Sequence, residues 1–334
     1  MTRVRSTHLE DAFPGIQQTK ESYSVTQILD GKSIAAQIRG EVANGVASLV
    51  AAGHRAPGLA AVLVGENPAS KVYVGSKTKA CAAAGMESWT VQLPANISEG
   101  DLRQKIQELN ENDEVDGILV QLPIPKGLPE REILSEVAPT KDVDGFHPAS
   151  IGRLWAGEQT FVPATPSGVL ELLDRTGTEL EGKHAVVVGR SLIVGKPMAA
   201  LLLARNCTVT ICHSRTQNLA NICRQGDILV AAVGRTALIS AEFVKEGAVV
   251  IDVGMNRLTE LSEVERLYPG DPKRLRTFEK RGSVLTGDVD FSAVYPKVSA
   301  ITPVPGGVGP LTVAMVLANT LEAARRRFGA TVEP

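Results

Sequence analysis

Apolar residues recur at helical spacing and then give way to short unbroken apolar runs, repeatedly, along most of this chain. From Gly31 the residues Ile34, Ile38, Val42, Val46 and Leu49 mark one face of a helix that Gly53 is placed to cap. The run Leu59 to Val64 reads as a buried strand, and Asn67-Pro68 then opens a helix lasting to about Ala84, ahead of Gly85. A strand near Ser88 to Leu93, a capping-box pattern at Ser98 and Asp101 before Leu102, Ile106 and Leu109, and a strand from Gly117 to Leu122 complete a first set. A second set starts with a helix from Thr165-Pro166 to about Arg175. It continues with strands at Ala185 to Val188, Thr208 to Cys212, Ile228 to Ala232 and Val249 to Val253, with helices between them. Such alternation demands right-handed crossovers and a largely parallel sheet, with functional residues at the carboxyl ends of its strands. The fold class is therefore α/β, as two three-layer domains with a cleft between them.

A chain of 334 residues exceeds one hydrophobic core. The Pro- and Gly-rich stretch 123–166 places a boundary near Ala149 to Pro163, giving a first domain over 26–150 and a second over 151–302. Residues 258–286 are charged and weakly periodic, and are expected to be a surface insertion that touches no motif. A last helix from Leu311 to about Arg327 carries Leu311, Met315, Ala318 and Leu321 on one face. Residues 1–25 have almost no apolar pattern and read as a disordered extension. A net charge of −2, with acids and bases interspersed, argues against nucleic acid or an anionic membrane as the main partner. Cys81, Cys207, Cys212 and Cys223 show neither metal-ligand nor disulfide-scaffold spacing, so no metal is expected. No run reaches membrane-spanning length, the first 25 residues lack a secretory apolar core, and Glu10 and Asp11 sit poorly in a transit peptide. The expected location is the cytoplasm.

Chemistry concentrates in a few segments. The strand ending at Val188 runs into Gly189-Arg-Ser-Leu-Ile-Val-Gly195-Lys-Pro197, a turn that presents backbone N–H groups and a helix N-terminus to a phosphate. Position 191 is Ser, so the dinucleotide fingerprint is incomplete although its strand-turn-helix setting is right. The following strand ends in Cys212-His-Ser-Arg-Thr216 with no acid to hold a ribose hydroxyl. Ser214, Arg190 and Arg215 suit a 2′-phosphate instead, so a Rossmann-type domain taking NADP is favoured over a plain α/β turn with solvated arginines. Tyr73 and Lys77 share a helix face at i, i+4. A desolvated lysine can exchange protons near neutrality and an aromatic beside it can stack on a flat heterocycle, yet the same pair also describes an ordinary solvated helix edge. Short-chain dehydrogenases share this spacing, but their cofactor glycines precede the pair and here they follow it. Gln121 ends a strand, Asp144 precedes a glycine as many turn residues do, and Thr302 to Pro310 packs glycines and prolines before the last helix, as a ligand loop or a structural one.

Taken in order, Tyr73-Val-Gly-Ser-Lys77, Gly117-Ile-Leu-Val-Gln-Leu-Pro123, Lys141-Asp-Val-Asp-Gly-Phe-His-Pro148, Gly189 to Pro197 and Pro303-Val-Pro-Gly-Gly-Val-Gly-Pro310 closely resemble the bifunctional methylenetetrahydrofolate dehydrogenase/methenyltetrahydrofolate cyclohydrolase family, from about Ile28 to Arg327. The resemblance implies NADP-dependent oxidation of methylene-tetrahydrofolate and hydrolysis of the methenyl product to 10-formyl-tetrahydrofolate. By position it implies Lys77 as the catalytic lysine, Gln121 as its modulator, Asp144 as the pterin anchor and Tyr73 as the stacking ring, with Leu122, Pro303, Gly306, Gly307 and Gly309 beside the folate. Gly189, Arg190, Ser191, Gly195, Ser214 and Arg215 match cofactor positions, and Met255 the nicotinamide side. It further implies tetrahydrofolate derivatives as ligands and a homodimer joined through the cofactor domains. Because the folate loop must then reach the lysine cleft, the C-terminal helix within 303–330 is expected to cross back and pack on the first domain. A monofunctional dehydrogenase and a non-catalytic NADP or folate sensor are the alternatives.

Overall fold

The computed structural model describes residues 26–330; the extension read over 1–25 lies outside the described residues. The chain runs through β1 (Gln27–Ile28), α1 (Gly31–Ala51), β2 (Gly58–Val64), α2 (Pro68–Ala83), β3 (Glu87–Leu93), α3 (Glu99–Glu111), β4 (Gly117–Val120), α4 (Glu130–Leu134), α5 (Pro148–Ala156) and α6 (Ala164–Arg175). It continues through β5 (His184–Val188), α7 (Gly195–Ala204), β6 (Thr208–Cys212), α8 (Leu219–Cys223), β7 (Ile228–Ala231), β8 (Val249–Asp252), β9 (Asn256–Leu258), α9 (Leu261–Leu267), α10 (Pro272–Arg281), β10 (Val284–Thr286), α11 (Phe291–Val294), β11 (Ala300–Ile301) and α12 (Val308–Phe328).

Local chemistry sets the helix starts. The Asn67 side chain accepts from the N–H groups of Ala69 and Ser70 with Pro68 in the first turn of α2, and Ser98 accepts from Asp101 N–H to begin α3. In the first sheet, ordered β3-β2-β4, every pairing is parallel. β2 is buried throughout, and its residues divide by the two-residue strand period: Leu59, Ala61 and Leu63 join the core under α1, while Ala60, Val62 and Val64 join Leu102 and Ile106 of α3. The second sheet, ordered β1-β11-β8-β7-β5-β6, is parallel as well, and β5 likewise splits Ala185 and Val187 from Val186 and Val188.

Three elements depart from the sequence reading. β1, placed with the first domain by its position, pairs instead with β11 at the edge of the second sheet, and the Thr26 hydroxyl lies 2.8 Å from both Tyr295 O and Val298 O, which share its one proton. Residues 258–286 are not irregular. β9 and β10 form an antiparallel ribbon that carries α9 and α10, with Leu258, Val264, Leu267, Tyr268 and Val284 as a small core. The insertion also touches a motif, because the Arg274 guanidinium donates to Val304 O at 2.5 Å. The last helix begins at Val308 rather than Leu311. Pro310 falls in its first turn, where the missing N–H has no intrahelical partner to lose.

α12 crosses back and packs against both α1 and α6. Asn319 donates to Val143 O at 2.7 Å and Val162 O at 3.1 Å, the Thr165 and Thr312 hydroxyls meet at 2.9 Å, and Arg327 donates to Asp113 O at 2.8 Å. Leu317 is fully buried in this helix. Leu317→Ala should cost about 2–5 kcal/mol of unfolding free energy through lost burial and a residual cavity, read by chemical denaturation; a loss below about 1 kcal/mol would show that α12 is not part of the common core.

Candidate active site

α2 carries Tyr73 and Lys77 toward the space between the two sheets. Lys77 is only 7 % exposed, and its ammonium donates to Gln121 Oε1 at 3.1 Å. Gln121 follows β4 directly, with its N–H bonded to Val62 O, and its amide nitrogen donates to Leu122 O at 2.8 Å. That second bond fixes the amide orientation, so the carbonyl faces the lysine. Asp144 lies in the turn before Gly145. This turn is held by Asp142, whose carboxylate accepts from Phe146 N–H, His147 N–H and the Ser150 hydroxyl, the last at 2.7 Å. Burial lowers the Lys77 pKa, with nearby Asp144 opposing the shift; burial pushes the Asp144 carboxyl up to about 6, with Lys77 opposing. A buried amine and a buried carboxyl, each shifted toward its neutral form, thus face the same space.

That space is a cleft of about 980 Å³. One wall holds Tyr73, Lys77, Gln121, Leu122 and Asp144, the facing wall holds Ile193, Val194 and Met255, and the loop from Pro303 through Gly306, Gly307 and Gly309 borders both. The Tyr73 hydroxyl touches Met255 Sδ across the opening.

The remaining expected cofactor residues lie outside this lining, at the carboxyl ends of β5 and β6. Gly189 N–H donates to Cys212 O at 2.9 Å, so the two strand ends emerge side by side. Gly189 has φ 141°, and a Cβ there would fall 2.3 Å from Ala232 O; one at Gly195 would fall 2.2 Å from Gly189 O. Only glycine permits this turn. Ser191 builds the turn as well: its hydroxyl accepts from Val194 N–H at 3.1 Å and Gly195 N–H at 3.3 Å. Arg190, Ser214 and Arg215 are exposed beside it, and Ser214 and Arg215 stand on a loop pinned by His213, whose N–H bonds the Thr216 hydroxyl and whose ring accepts from Arg215 N–H. Among the described residues no cluster of His, Cys, Asp and Glu is arranged to hold a metal ion, and all four cysteines are buried and free.

Sequence reasoning missed the supports. Asp252 ends β8, and its carboxylate accepts from Gly254, Asp288 and Val289 N–H, each at 2.9 Å, while its own N–H bonds the Thr302 hydroxyl at 2.7 Å. Asp288 accepts in turn from Gly234 and Arg235 N–H at 2.9 Å. Burial pushes the Asp252 carboxyl up to about 7 against those three donors. The pair holds Met255 at the cleft, but in sequence an Asp before Val-Gly reads only as a turn. Lys32, Arg39 and Lys273 also line the cleft and belong to no motif.

A parallel nucleotide-binding sheet with a glycine turn, facing a buried lysine, amide and carboxyl across a shared cleft, defines a two-domain NAD(P)-linked enzyme. Residues 29–144 match the tetrahydrofolate dehydrogenase/cyclohydrolase catalytic domain, and residues 163–328 match the NAD(P)-binding domain of the same family. The chain belongs to the tetrahydrofolate dehydrogenase/cyclohydrolase family. It is 52 % identical over 309 residues to the bifunctional protein FolD of Koribacter versatilis, spanning 91 % of this chain and 99 % of that protein. Among solved structures, the FolD methylenetetrahydrofolate dehydrogenase/cyclohydrolase of Campylobacter jejuni is 43 % identical with a TM-score of 0.82, covering 90 % of this chain and 99 % of that one. That of Trypanosoma brucei, complexed with NADP cofactor and inhibitor, is 38 % identical with a TM-score of 0.82, covering 91 % and 98 %.

Asp252→Asn keeps the shape but turns an amide N–H₂ toward backbone donors in either orientation. It should lower stability by about 1–3 kcal/mol, measured by denaturant titration, and an unchanged midpoint would remove the carboxylate from the scaffold of the site.

Proposed function

We propose that this enzyme oxidises 5,10-methylene-tetrahydrofolate to the 5,10-methenyl form with NADP and then hydrolyses that product to 10-formyl-tetrahydrofolate in the same cleft. The observation that carries this reading is the buried Lys77 ammonium on Gln121 Oε1, 3.1 Å away, facing a wall that belongs to the nucleotide-binding sheet. A chain with only the first activity would not need that pair, so the bifunctional reading is favoured over a dehydrogenase alone, and over a sensor.

The residues present fit NADP: the turn at Gly189 and Gly195 has no room for side chains, and Arg190, Ser214 and Arg215 offer donors to a 2′-phosphate with no acid beside them. When bound, NADP supplies the hydride acceptor. Asp144 anchors the pterin edge by accepting its N–H groups, Tyr73 covers one face, and the loop from Pro303 to Gly309 borders the ring, so the one-carbon bridge is held toward Met255. Loss of the hydride is favoured by the adjacent folate nitrogen, so the protein contributes mainly position. The methenyl carbon that results is cationic and electrophilic. Burial lowers the Lys77 pKa, so in its neutral form Lys77 takes a proton from a water that adds to that carbon, and Gln121 holds the amine in line; the bond from the carbon to N5 then breaks, N5 takes up a proton, and the formyl group stays on N10. Two copies are read to join through the cofactor domain. β6 ends its sheet, and Ile211 on it and Leu203 beside it are exposed at 37 % and 54 %. The reaction is assigned to the cytoplasm; no helix among the described residues is long and apolar enough to cross a membrane.

Lys77→Met should cut hydrolysis of methenyl-tetrahydrofolate by about 10²–10⁴-fold, the range of one acid–base group, followed by loss of the methenyl absorbance; a drop below tenfold would remove Lys77 from the hydrolytic step. Arg190→Ala combined with Arg215→Ala should raise the KM for NADP about tenfold or more while leaving that for NAD nearly unchanged. An equal rise for both cofactors would show that these arginines do not read the 2′-phosphate.

A further inference from the structure

A second cavity, of about 370 Å³, lies against the first domain and shares no lining residue with the cleft. That volume falls in the range of small-molecule sites. Its walls come from the loop at Pro139 to Lys141, from α5, from Thr160 and Phe161, and from the last two turns of α12. Lys141, Arg153, Arg326 and Arg327 line it, and the one carboxylate among the lining groups, Asp116, has a fully buried side chain that pairs with Arg55 at 2.6 and 2.9 Å. Two of the cations are already engaged: Arg327 by Asp113, and Lys141 by Leu109 O and Asn112 O at 3.0 and 2.7 Å. The other two keep donors in reserve. Arg326 donates to Glu322 through Nε at 2.8 Å, with its guanidinium carbon 4.6 Å from the centre of the Phe161 ring, which leaves its two amino groups for another acceptor. Arg153 comes no closer than 3.9 Å to Glu158, and Thr140 and Thr160 add hydroxyls to the lining.

One segment joins this cavity to the cleft. Lys141, Ala149 and Ser150 line the second cavity, whereas Asp144 and Phe146 line the cleft; Asp142, 3 % exposed, falls between them in sequence. The Ser150 hydroxyl donates to Asp142 at 2.7 Å, on the same carboxylate oxygen that accepts from His147 N–H at 2.9 Å. Ser150 thus faces the second cavity and also holds the turn that bears Asp144.

Guanidiniums with unused N–H groups, together with hydroxyls, suit an anion that offers three strong acceptor oxygens, and Pro139, Ala149, Phe161 and Ala323 suit a short carbon skeleton attached to it. We propose that this cavity is a regulatory site for a small phosphate monoester, whose occupation draws the Ser150 hydroxyl away from Asp142 and loosens the turn that presents Asp144 to the folate. The binding site stands on the cavity itself; its effect on turnover rests on the tetrahydrofolate reading.

Calorimetric titration with glycerol 3-phosphate tests it, with NADP saturating so that the cofactor's phosphate positions are filled. The wild type should bind with a Kd of about 1 mM, the weak affinity of a small ligand at a solvent-open site. Arg153→Ala and Arg326→Gln should each weaken binding about tenfold, and neither should change the KM for 5,10-methylene-tetrahydrofolate in the absence of the ester. Bound ester should raise that KM about threefold in the wild type with kcat unchanged; in Ser150→Ala, where the turn has already lost its bond, it should bind without moving KM. The ester should also speed hydrogen exchange at the Phe146 and His147 amides, which Asp142 holds, and this readout needs no turnover. Absence of binding, an affinity untouched by both arginine changes, equal affinity for succinate or inorganic phosphate, unchanged amide exchange, or an unmoved KM in the active wild type would overturn the proposal. If methylene-tetrahydrofolate is not turned over at all, the reaction assigned above fails, and calorimetry and amide exchange still decide the site.

Discussion

An ammonium taken out of water must be compensated, and the site is arranged around how incompletely this is done for Lys77. Its hydrogen-bond partner is a neutral carbonyl, Gln121 Oε1, rather than a carboxylate; Asp144 acts on it as a nearby charge. In a dry wall the two ionisable groups are therefore pushed toward each other's range, the lysine down and the carboxyl up to about 6. A full ion pair would have locked both in their charged forms. The amide's own anchor, Leu122 O, keeps that neutral contact from turning over, and β4 supplies the rigidity because Gln121 is still bonded to Val62 of β2.

Such a site works only if the facing wall keeps its distance, and that is settled by backbone groups more than by side-chain packing at the cleft. Asp252 and Asp288 gather successive N–H groups from the loops around Gly234, Gly254 and Val289, so the segment that carries Met255 is suspended from two carboxylates. The glycine turn after β5 is closed by Ser191 and by the close approach of Ala232, and it reaches the cleft through Ile193 and Val194. α12 then ties the walls together from behind.

What the sequence made legible follows from local physics. The alternation of periods, the caps at Asn67 and Ser98 and the glycine turn all act within a few residues, and each appears where it was read. The Tyr73–Lys77 spacing could not by itself separate a solvated edge from a buried base. Burial decides it, with Lys77 at 7 % exposure and Tyr73 at 36 %, and burial depends on α12, more than two hundred residues away. The pairing of β1 with β11 was hidden for the same reason, since two residues hold no period. The fold of residues 258–286 was hidden because α9 and α10 are too short to show a sustained apolar stripe. Ser191 looked like a flaw in a fingerprint and is the cap that closes the turn.

The placement of β1 and α12 also bears on how this architecture can be inherited or rebuilt. The described residues open with a strand in the nucleotide-binding sheet, cross to make the lysine wall, return for the second sheet and reach a helix shared by both. Any single cut leaves one half without its lid or its outer strand. Recombination at one junction would thus join mismatched faces, and a transplanted half must bring both of its distant termini with it.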